Sequence, residues 1–145
     1  MPIYRDRLTP EGNVDLVLSK RDIEEMYKCI SENLVREGAD CVLLIDRAAN
    51  LIVNCGNPMT LDVVSLAALS AANFGATAEI ARIIGEEEFS LLFHKGRHEN
   101  IHFTSVGENY ILITLFGKDV SLGLIRLKVE KTIKKLQEIL QRVES

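Results

Sequence analysis

The chain has 145 residues, of which 47% are hydrophobic and 26% are charged, and its formal net charge at pH 7 is −4. This length and composition predict one globular domain. The negative charge gives no general attraction to nucleic acid or to an anionic membrane. With no tryptophan and only 6% aromatic residues, the chain also offers no surface on which nucleic-acid bases could stack.

The cysteines and the N-terminal segment bear on the cellular compartment. Cys29, Cys41 and Cys55 are an odd number at spacings that match no zinc or redox motif, so we expect reduced, packed thiols. The N-terminal segment lacks the apolar core of a signal peptide. No uninterrupted apolar run reaches the ~18 residues of a membrane span. We therefore expect a cytoplasmic protein with no membrane contact.

The first third of the chain predicts an arm, a helix and a hairpin. Residues 1–18 show no sustained period and are expected to form an N-terminal arm, so the folded domain would span residues 19–145. Ser19 begins a helix, with Asp22 completing a capping box, and Gly38 ends it. Two β-branched, apolar strands follow on either side of a short turn.

A long helix follows, capped by Thr60 with Asp62 at its positive end, and it ends at Gly85. A final helix begins near Ser121. Five strands are predicted, at residues 39–46, 51–55, 89–94, 101–106 and 110–116. The element order α-β-β-α-β-β-β-α and its three hairpin connections predict an α+β fold with a largely antiparallel sheet.

Motifs for catalysis or metal binding are weak. No nucleophile elbow or phosphate-binding loop is present, since Gly117-Lys118 lacks the preceding glycine. His94, His98 and His102 are spaced by four but straddle a turn, so surface or edge-strand histidines are favoured over a metal site. We therefore predict no catalytic residues, no metal and no cofactor.

Positive charge is concentrated on the last helix and at a few isolated arginines. For the last helix we favour a solvent-exposed basic face over a face that binds an acidic partner. Any of the isolated arginines could in principle act as an arginine finger on a partner. The helix residues are Arg126, Lys128, Lys131, Lys134 and Lys135, and the isolated arginines are Arg47, Arg82 and Arg97.

The central helix is the most informative segment. Between Ser65 and Ala78 it carries no charge and few large side chains. A helix that is apolar all round is a buried helix, and a chain of this size has too little other material to cover it. A second copy of the chain is the expected cover, while burial under the N-terminal arm is the alternative. The expected contact surface is Ala68, Ala71, Ala72, Gly75 and Ala76.

These residues carry a family resemblance over about residues 19–143. "VLLIDRAANLIV" looks like the first hairpin of the roadblock / dynein light chain family, and "LAALSAANFGATAEIARIIGE" resembles its small-residue central helix. The Ala72-Asn73 and Ala76-Thr77 pairs and the ending Ile80–Glu86 are closest to the bacterial MglB-type GTPase regulators.

The resemblance implies a five-stranded antiparallel sheet with one helix on one face and two on the other. It implies a homodimer formed through the central helices and the edge strand at residues 88–94. It further implies binding of a Ras-like small GTPase, whose hydrolysis the dimer stimulates by ordering the partner's switch residues, without an arginine finger. On this basis Glu79, Arg82, Leu91 and Phe93 join the expected dimer or GTPase interface.

Two other hypotheses remain open at this stage. The chain could be a structural scaffold or adaptor subunit that leaves GTP turnover unchanged. It could also be a small-molecule sensor or metal protein that uses His98 and His102. An exchange-promoting role is not expected, because the chain stops soon after its last helix.

Overall fold

The computed structural model describes residues 18–56, 61–87 and 92–144. Its elements are α1 (Lys20–Ile30), a π-helical turn (Ser31–Val35), β1 (Ala39–Asp46), β2 (Leu51–Gly56), α2 (Val63–Ile84), β3 (Leu92–Lys95), β4 (Glu99–Val106), β5 (Tyr110–Gly117) and α3 (Leu122–Glu144). The predicted N-terminal arm falls almost wholly on residues 1–17, which lie outside the described residues.

The sheet has five strands in the order β2-β1-β5-β4-β3, and every neighbouring pair is antiparallel. β5 lies at the centre, where Leu112 pairs with both Leu44 of β1 and Thr104 of β4. The predicted α+β class, element order and antiparallel sheet are thereby confirmed. β2 and β3 form the two edges among the described strands.

The sheet separates two apolar layers. On one face, α1 and α3 pack against residues that include Leu44 and Leu112. On the other face, α2 packs against residues that include Leu43 and Ile113. Since successive strand residues point to opposite faces, one strand supplies both layers. The predicted arrangement of one helix on one face and two on the other is confirmed.

α1 begins as its sequence predicts. The Ser19 hydroxyl accepts a hydrogen bond from the Asp22 N–H at 3.1 Å, and the Ser19 N–H donates to the Asp22 carboxylate at 3.3 Å. This reciprocal pair satisfies two N–H groups that the helix itself leaves unpaired. The helical segment closes before Gly38, whose φ of +121° favours glycine.

The β1–β2 hairpin is organised by one carboxylate. Asp46, which ends β1, is only 8% exposed. Its Oδ1 accepts hydrogen bonds from the N–H groups of Ala48 (3.0 Å) and Asn50 (2.8 Å), and its Oδ2 accepts one from the Asn50 side chain at 2.9 Å. These bonds hold the turn in which Ala49 takes a positive φ of 71°, so the aspartate at the strand end has a local structural role.

All three cysteines are free and buried, as predicted. Cys29 is on α1 and Cys55 is on β2 in the same layer, whereas Cys41 of β1 belongs to the layer under α2. Burial raises the pKa of each thiol, and that of Cys55 reaches about 12. The thiols are therefore protonated and weakly reactive at neutral pH.

Four of the predicted strands have bounds that differ from the structure. β2 ends at Gly56 and β5 ends at Gly117, each one residue later than predicted, and the other two are β4 and β3. β4 begins at Glu99, two residues before its predicted start, because Glu99 and Asn100 pair with Gly117 and Phe116 of β5. β3 runs from Leu92 to Lys95 in the structure; the first residues of the predicted strand at 89–94 lie outside the described residues.

Candidate functional site: the outer face of the central helix

α2 is a 22-residue helix with a defined cap at each end. Asp62 is the N-cap: its Oδ1 accepts from the Ser65 N–H at 3.0 Å, and its Oδ2 accepts from the Ser65 hydroxyl at 2.7 Å. These bonds lower the pKa of the Asp62 carboxyl. The predicted cap, Thr60, lies outside the described residues. Gly85 ends the helix with a φ of 88°, as predicted from its conformational freedom.

One side of α2 lies on the sheet. Leu66, Ala67 and Phe74 belong to the layer formed with β1, β4 and β5. The guanidinium of Arg47, from the β1–β2 turn, lies 5.2 Å from the centroid of the Phe74 ring, a cation–π distance. The Arg47 Nε also donates to the Glu108 backbone carbonyl. Arg47 is thus tied to the edge of this layer.

The opposite side of α2 is uncovered. Only Ala67, Ser70 and Ala81 of this helix are buried, while Val64 is 72%, Leu69 70% and Ile83 72% exposed. Ala68, Ala72 and Ala76 follow one another at a spacing of four along the same exposed side. We call this side the outer face of α2. Its middle carries only small side chains, whereas its C-terminal end carries large ones, since Ile80, Ile83 and Ile84 are exposed there.

Two charged residues interrupt this apolar surface, and they pair with each other. The Arg82 Nε donates to the Glu79 carboxylate at 3.0 Å. This bond raises the pKa of the Arg82 guanidinium. An exposed pair of this kind contributes little to stability, but it holds the Arg82 guanidinium against a side chain of its own helix.

The structure separates the predicted interface residues into three groups. Ala68, Ala72, Gly75, Ala76, Glu79 and Arg82 are exposed together on α2. Ala71 is half-buried and packs against the sheet. Phe93 lies on the other face, where it stacks on Phe116 with ring centroids 6.0 Å apart. Leu91 lies outside the described residues.

The predicted set omits the large exposed aliphatic side chains of α2. Val64, Leu69, Ile80 and Ile83 were not assigned to an interface, because the apolar residues of α2 do not share one stripe in the sequence. Two sequence features taken together, the N-cap position and the helical period, predict which side of α2 faces the sheet. Counted from Asp62, the sheet-facing positions are Leu66, Ala67, Ser70, Phe74 and Ala81. The remaining aliphatic residues must then point outward.

Comparison with known proteins identifies the fold family. A model of the Roadblock/LC7 domain matches residues 31–116, which is more than half of the chain. The chain belongs to the Roadblock/LC7 family. A comparison with curated proteins found no match.

Three solved structures resemble this Roadblock/LC7 chain along most of its length. Myxococcus xanthus MglB is 31% identical, with a TM-score of 0.81, and the match covers 88% of this chain and 96% of that one. The gliding protein MglB from Thermus thermophilus is 27% identical, with a TM-score of 0.80, covering 88% and 97%. A structure described as MglB with tetrameric arrangement is 27% identical, with a TM-score of 0.81, covering 89% and 97%. The predicted MglB-like family membership is confirmed.

α2 of this Roadblock/LC7 chain also meets a simple test for membrane spans. Among the described helices it alone is long and apolar enough to cross a bilayer by length and composition. This was not expected from the sequence, because Glu79 and Arg82 interrupt the apolar run. Leu66 and Phe74 pack on the sheet, so the helix is docked in the domain along one side.

The three histidines do not come together. His94 is exposed on β3 and makes an edge contact with Phe103, with ring centroids 5.6 Å apart. His98 is exposed in the β3–β4 turn. His102 is 4% exposed on the α3 side of the sheet, and burial lowers its pKa to about 4. Within the described part of the chain, no group of three or more His, Cys, Asp and Glu residues could hold a metal ion.

The basic residues of α3 lie mainly in solvent and partly in ion pairs. Lys128 approaches Glu37 at 3.3 Å, and Arg142 pairs with Glu25 of α1 and approaches Asp22 at 3.8 Å. Leu124 and Leu127 are also exposed on this helix. The predicted solvated face therefore agrees with the exposure and pairing of these side chains.

Proposed function

We propose that this chain is a homodimeric regulator of a Ras-like small GTPase that acts without an active site of its own. The dimer would stimulate GTP hydrolysis by ordering the switch residues of its partner, in the cytoplasm. The observation that carries the proposal is the uncovered outer face of α2, on a chain whose similar solved structures include MglB proteins.

The dimer part rests on exposed apolar area. Val64, Leu69 and Ile83 are each at least 70% exposed on one helix, and large contiguous apolar patches usually mark an interaction site. Symmetric pairing is the commonest arrangement of soluble homo-oligomers. The bare middle of the outer face, at Ala68, Ala72, Gly75 and Ala76, would let two helices approach closely. A methyl group built on Gly75 meets no atom within 4 Å.

The GTPase part rests on what such a surface can do chemically. Phosphoryl transfer is accelerated mainly by positioning and by stabilising charge. A partner that orders a switch loop raises the rate while contributing no catalytic side chain. Arg82, the one arginine on the outer face, is paired with Glu79, which fits a mechanism without an arginine finger.

Oligomeric state is tested with matched alanine-to-arginine variants. Ala72 lies on the outer face, and Ala48 is exposed in the β1–β2 turn. Light scattering should show a dimer for the wild type and for Ala48→Arg. Ala72→Arg should raise the dimer dissociation constant at least tenfold (about 1.4 kcal/mol), because it inserts an unpaired charge into a dry contact. A monomeric wild type at tens of micromolar would refute the dimer.

Function is tested by measuring GTP hydrolysis by small GTPases of the same organism, with and without this protein. At least one GTPase should turn over faster with the wild type, and Arg82→Ala should retain most of that stimulation. Stimulation that disappears in Arg82→Ala would instead indicate an arginine finger. Binding with unchanged turnover would favour the scaffold hypothesis over the regulator.

A further inference from the structure

Phe74 is the last large side chain by which α2 holds the sheet. The apolar layer beneath the helix contains both Leu66 and Phe74. The large side chains that follow on α2 are all exposed; they are Ile80, Ile83 and Ile84. Ala81 is buried in this half of the helix, but it carries only a methyl group. The direction of residues 75–84 therefore depends strongly on how Phe74 is held.

One cation lies against the Phe74 ring. The guanidinium of Arg47 is 5.2 Å from the ring centroid, and a cation at this distance is attracted by an aromatic ring. Arg47 belongs to the turn that follows β1. The contact therefore joins the middle of α2 to one end of the sheet.

Arg47 is itself held by two turns at that end of the sheet. Its Nε donates to the Glu108 backbone carbonyl, and its backbone N–H donates to the Asn109 carbonyl at 3.2 Å. The turn that carries Arg47 is also held by three hydrogen bonds to the Asp46 carboxylate. None of these bonds involves α2, so they hold Arg47 in place independently of the helix.

The Arg47 contact lies on the sheet side of α2. Phe74 packs towards the sheet, whereas Ala72 and Ala76 are exposed on the opposite side of the helix. Because the contact is on the side away from the outer face, any effect of Arg47 on a molecule that covers the outer face should pass through the position of the helix.

We propose that Arg47 is a positioning residue. Through Phe74 it fixes the direction of residues 75–84, and it thereby sets how tightly the outer face of α2 binds a second copy of the chain. The effect on binding rests on the proposed function, whereas the effect on the helix does not.

The length of the helix beyond Phe74 amplifies a small change in direction. Ile84 lies about 15 Å further along the axis, so a tilt of about 10° at Phe74 moves it by about 2–3 Å. Displacement by this distance removes most of the attraction between two packed side chains. The large residues at the C-terminal end of α2 therefore need one fixed direction in order to pack against another copy.

Hydrogen exchange measures the helix directly. Arg47→Met keeps an apolar stem near the ring and removes the charge and the Nε donor. We place it in the Ala72→Arg background, so that no second copy protects α2. Exchange followed by mass spectrometry should become at least about threefold faster in residues 75–84, the factor expected for loss of an exposed cation–π contact, and should stay unchanged in α1 and α3.

The matched control is an arginine at the other end of the sheet. Arg97 is exposed in the β3–β4 turn, and Arg97→Met in the same background should leave the exchange of residues 75–84 unchanged. Faster exchange throughout the chain in Arg47→Met, or unchanged exchange in residues 75–84, would overturn the positioning role.

Light scattering measures the consequence for the dimer. Without the Ala72→Arg substitution, Arg47→Met should raise the dimer dissociation constant at least about threefold, and Arg97→Met should leave it unchanged. Arg47→Lys keeps a cation near the ring but lacks the planar guanidinium, so its dissociation constant should lie between those of the wild type and Arg47→Met. Faster exchange in residues 75–84 with an unchanged dissociation constant would overturn the link to binding.

A double-mutant cycle tests whether Arg47 acts through Phe74. Phe74→Leu keeps an apolar side chain and removes the ring. In this variant Arg47→Met should have little further effect on the exchange of residues 75–84. An equal effect of Arg47→Met with and without the ring would show that Arg47 acts by another route and would overturn the inference.

The two proposals fail in different ways. A monomeric wild type would refute the proposed dimer and, with it, the effect of Arg47 on binding. The exchange experiment would still decide whether Arg47 directs α2, because it uses a background in which the outer face is uncovered.

Discussion

The two faces of the sheet are covered to very different extents. On one face, α1 and α3 bury Met26, Ile125 and Leu136 completely. On the other face, α2 is nearly as long as α3, yet most of its residues stay exposed. The α1/α3 layer is a closed core that one chain completes. The α2 layer buries one side of its helix and leaves the other side for a further contact.

Under the proposed function, stability and interaction depend on separate layers. The closed layer can fix the fold at any protein concentration, since all its contacts lie within the chain. The outer face of α2 adds little to the stability of one chain and becomes energetically important only when another molecule covers it. Substitutions in the two layers should therefore respond differently to protein concentration.

The largest expected difference comes from the same substitution in the two layers. Leu136 of α3 is fully buried, and Leu69 of α2 is 70% exposed. Leu136→Ala should lower the free energy of unfolding by about 2–5 kcal/mol, because it leaves a cavity. Leu69→Ala should lower it by less than about 0.5 kcal/mol in dilute protein. Urea denaturation at two protein concentrations measures both.

Concentration dependence makes this comparison sharper. The penalty of Leu69→Ala should grow at high protein concentration, where the proposed dimer would form, while that of Leu136→Ala should stay constant. A constant, near-zero penalty for Leu69→Ala over a hundredfold range of concentration would show that no second copy covers this residue.

A second contrast concerns acid stability in the closed layer. Burial lowers the pKa of His102 to about 4, against about 6.5 in an unfolded chain. Between these values the unfolded state binds more protons, so stability should fall as pH drops from 6.5 to 4. The loss at pH 4 should be about 2–3 kcal/mol. Urea denaturation across this range should show a flatter profile for His102→Leu.

The matched control for this titration is an exposed histidine. His98→Leu, in the β3–β4 turn, should keep the wild-type slope between pH 6.5 and 4. If His102→Leu also kept the full slope, His102 would not be the residue responsible.

A smaller effect is expected at the start of α2. Asp62→Ala removes the side chain that accepts from the Ser65 N–H and hydroxyl. This change should lower the melting temperature, because the first turn of α2 loses its N-cap. Asp62→Asn, which keeps an accepting oxygen, should lower the melting temperature less than Asp62→Ala does. Thermal denaturation monitored by circular dichroism distinguishes the three proteins.

The smallest effect is expected on the α2 side of the sheet. The hydrogen bond with Asp40 raises the pKa of Glu99 to about 7, so the folded state binds more protons than the unfolded state between pH 4.5 and 7. This contribution to stability should fall as pH rises through that window, opposite in sign to that of His102.

Glu99→Gln tests this contribution, since it keeps a donor for Asp40 and removes the ionisation. Because Glu99 is exposed, the gain above pH 7 should be well under 1 kcal/mol. Glu130→Gln on α3 is the matched control and should change nothing. A gain that is the same at pH 5 and pH 8 would contradict the assignment.

Much of the fold could be predicted because its local signals agree with its packing. The β1 sequence from Ala39 to Asp46 alternates between two apolar layers, and the structure has the same bounds. The Ser19 capping box and the terminal Gly85 were also confirmed. The start of β4 was missed because Glu99 and Asn100 lack strand propensity and join the strand only through pairing with β5.

The candidate site was harder to predict, since it depends on orientation. Ala68 and Ala71 are the same residue type on the same helix, so the sequence alone does not distinguish them. In the structure, Ala68 is exposed and Ala71 packs on the sheet. Phe93 was assigned by its strand alone, and one residue along a strand reverses the face.

The buried cysteines give this protein built-in reporters of layer opening. Cys41 lies beneath α2, while Cys55 lies in the α1 layer, and the Cys55 thiol donates to the Tyr27 backbone carbonyl at 3.5 Å. Alkylation by a soluble maleimide can proceed only when the layer above a given thiol separates. Mass spectrometry of the labelled peptides would therefore time the opening of the two faces independently, in the natural sequence.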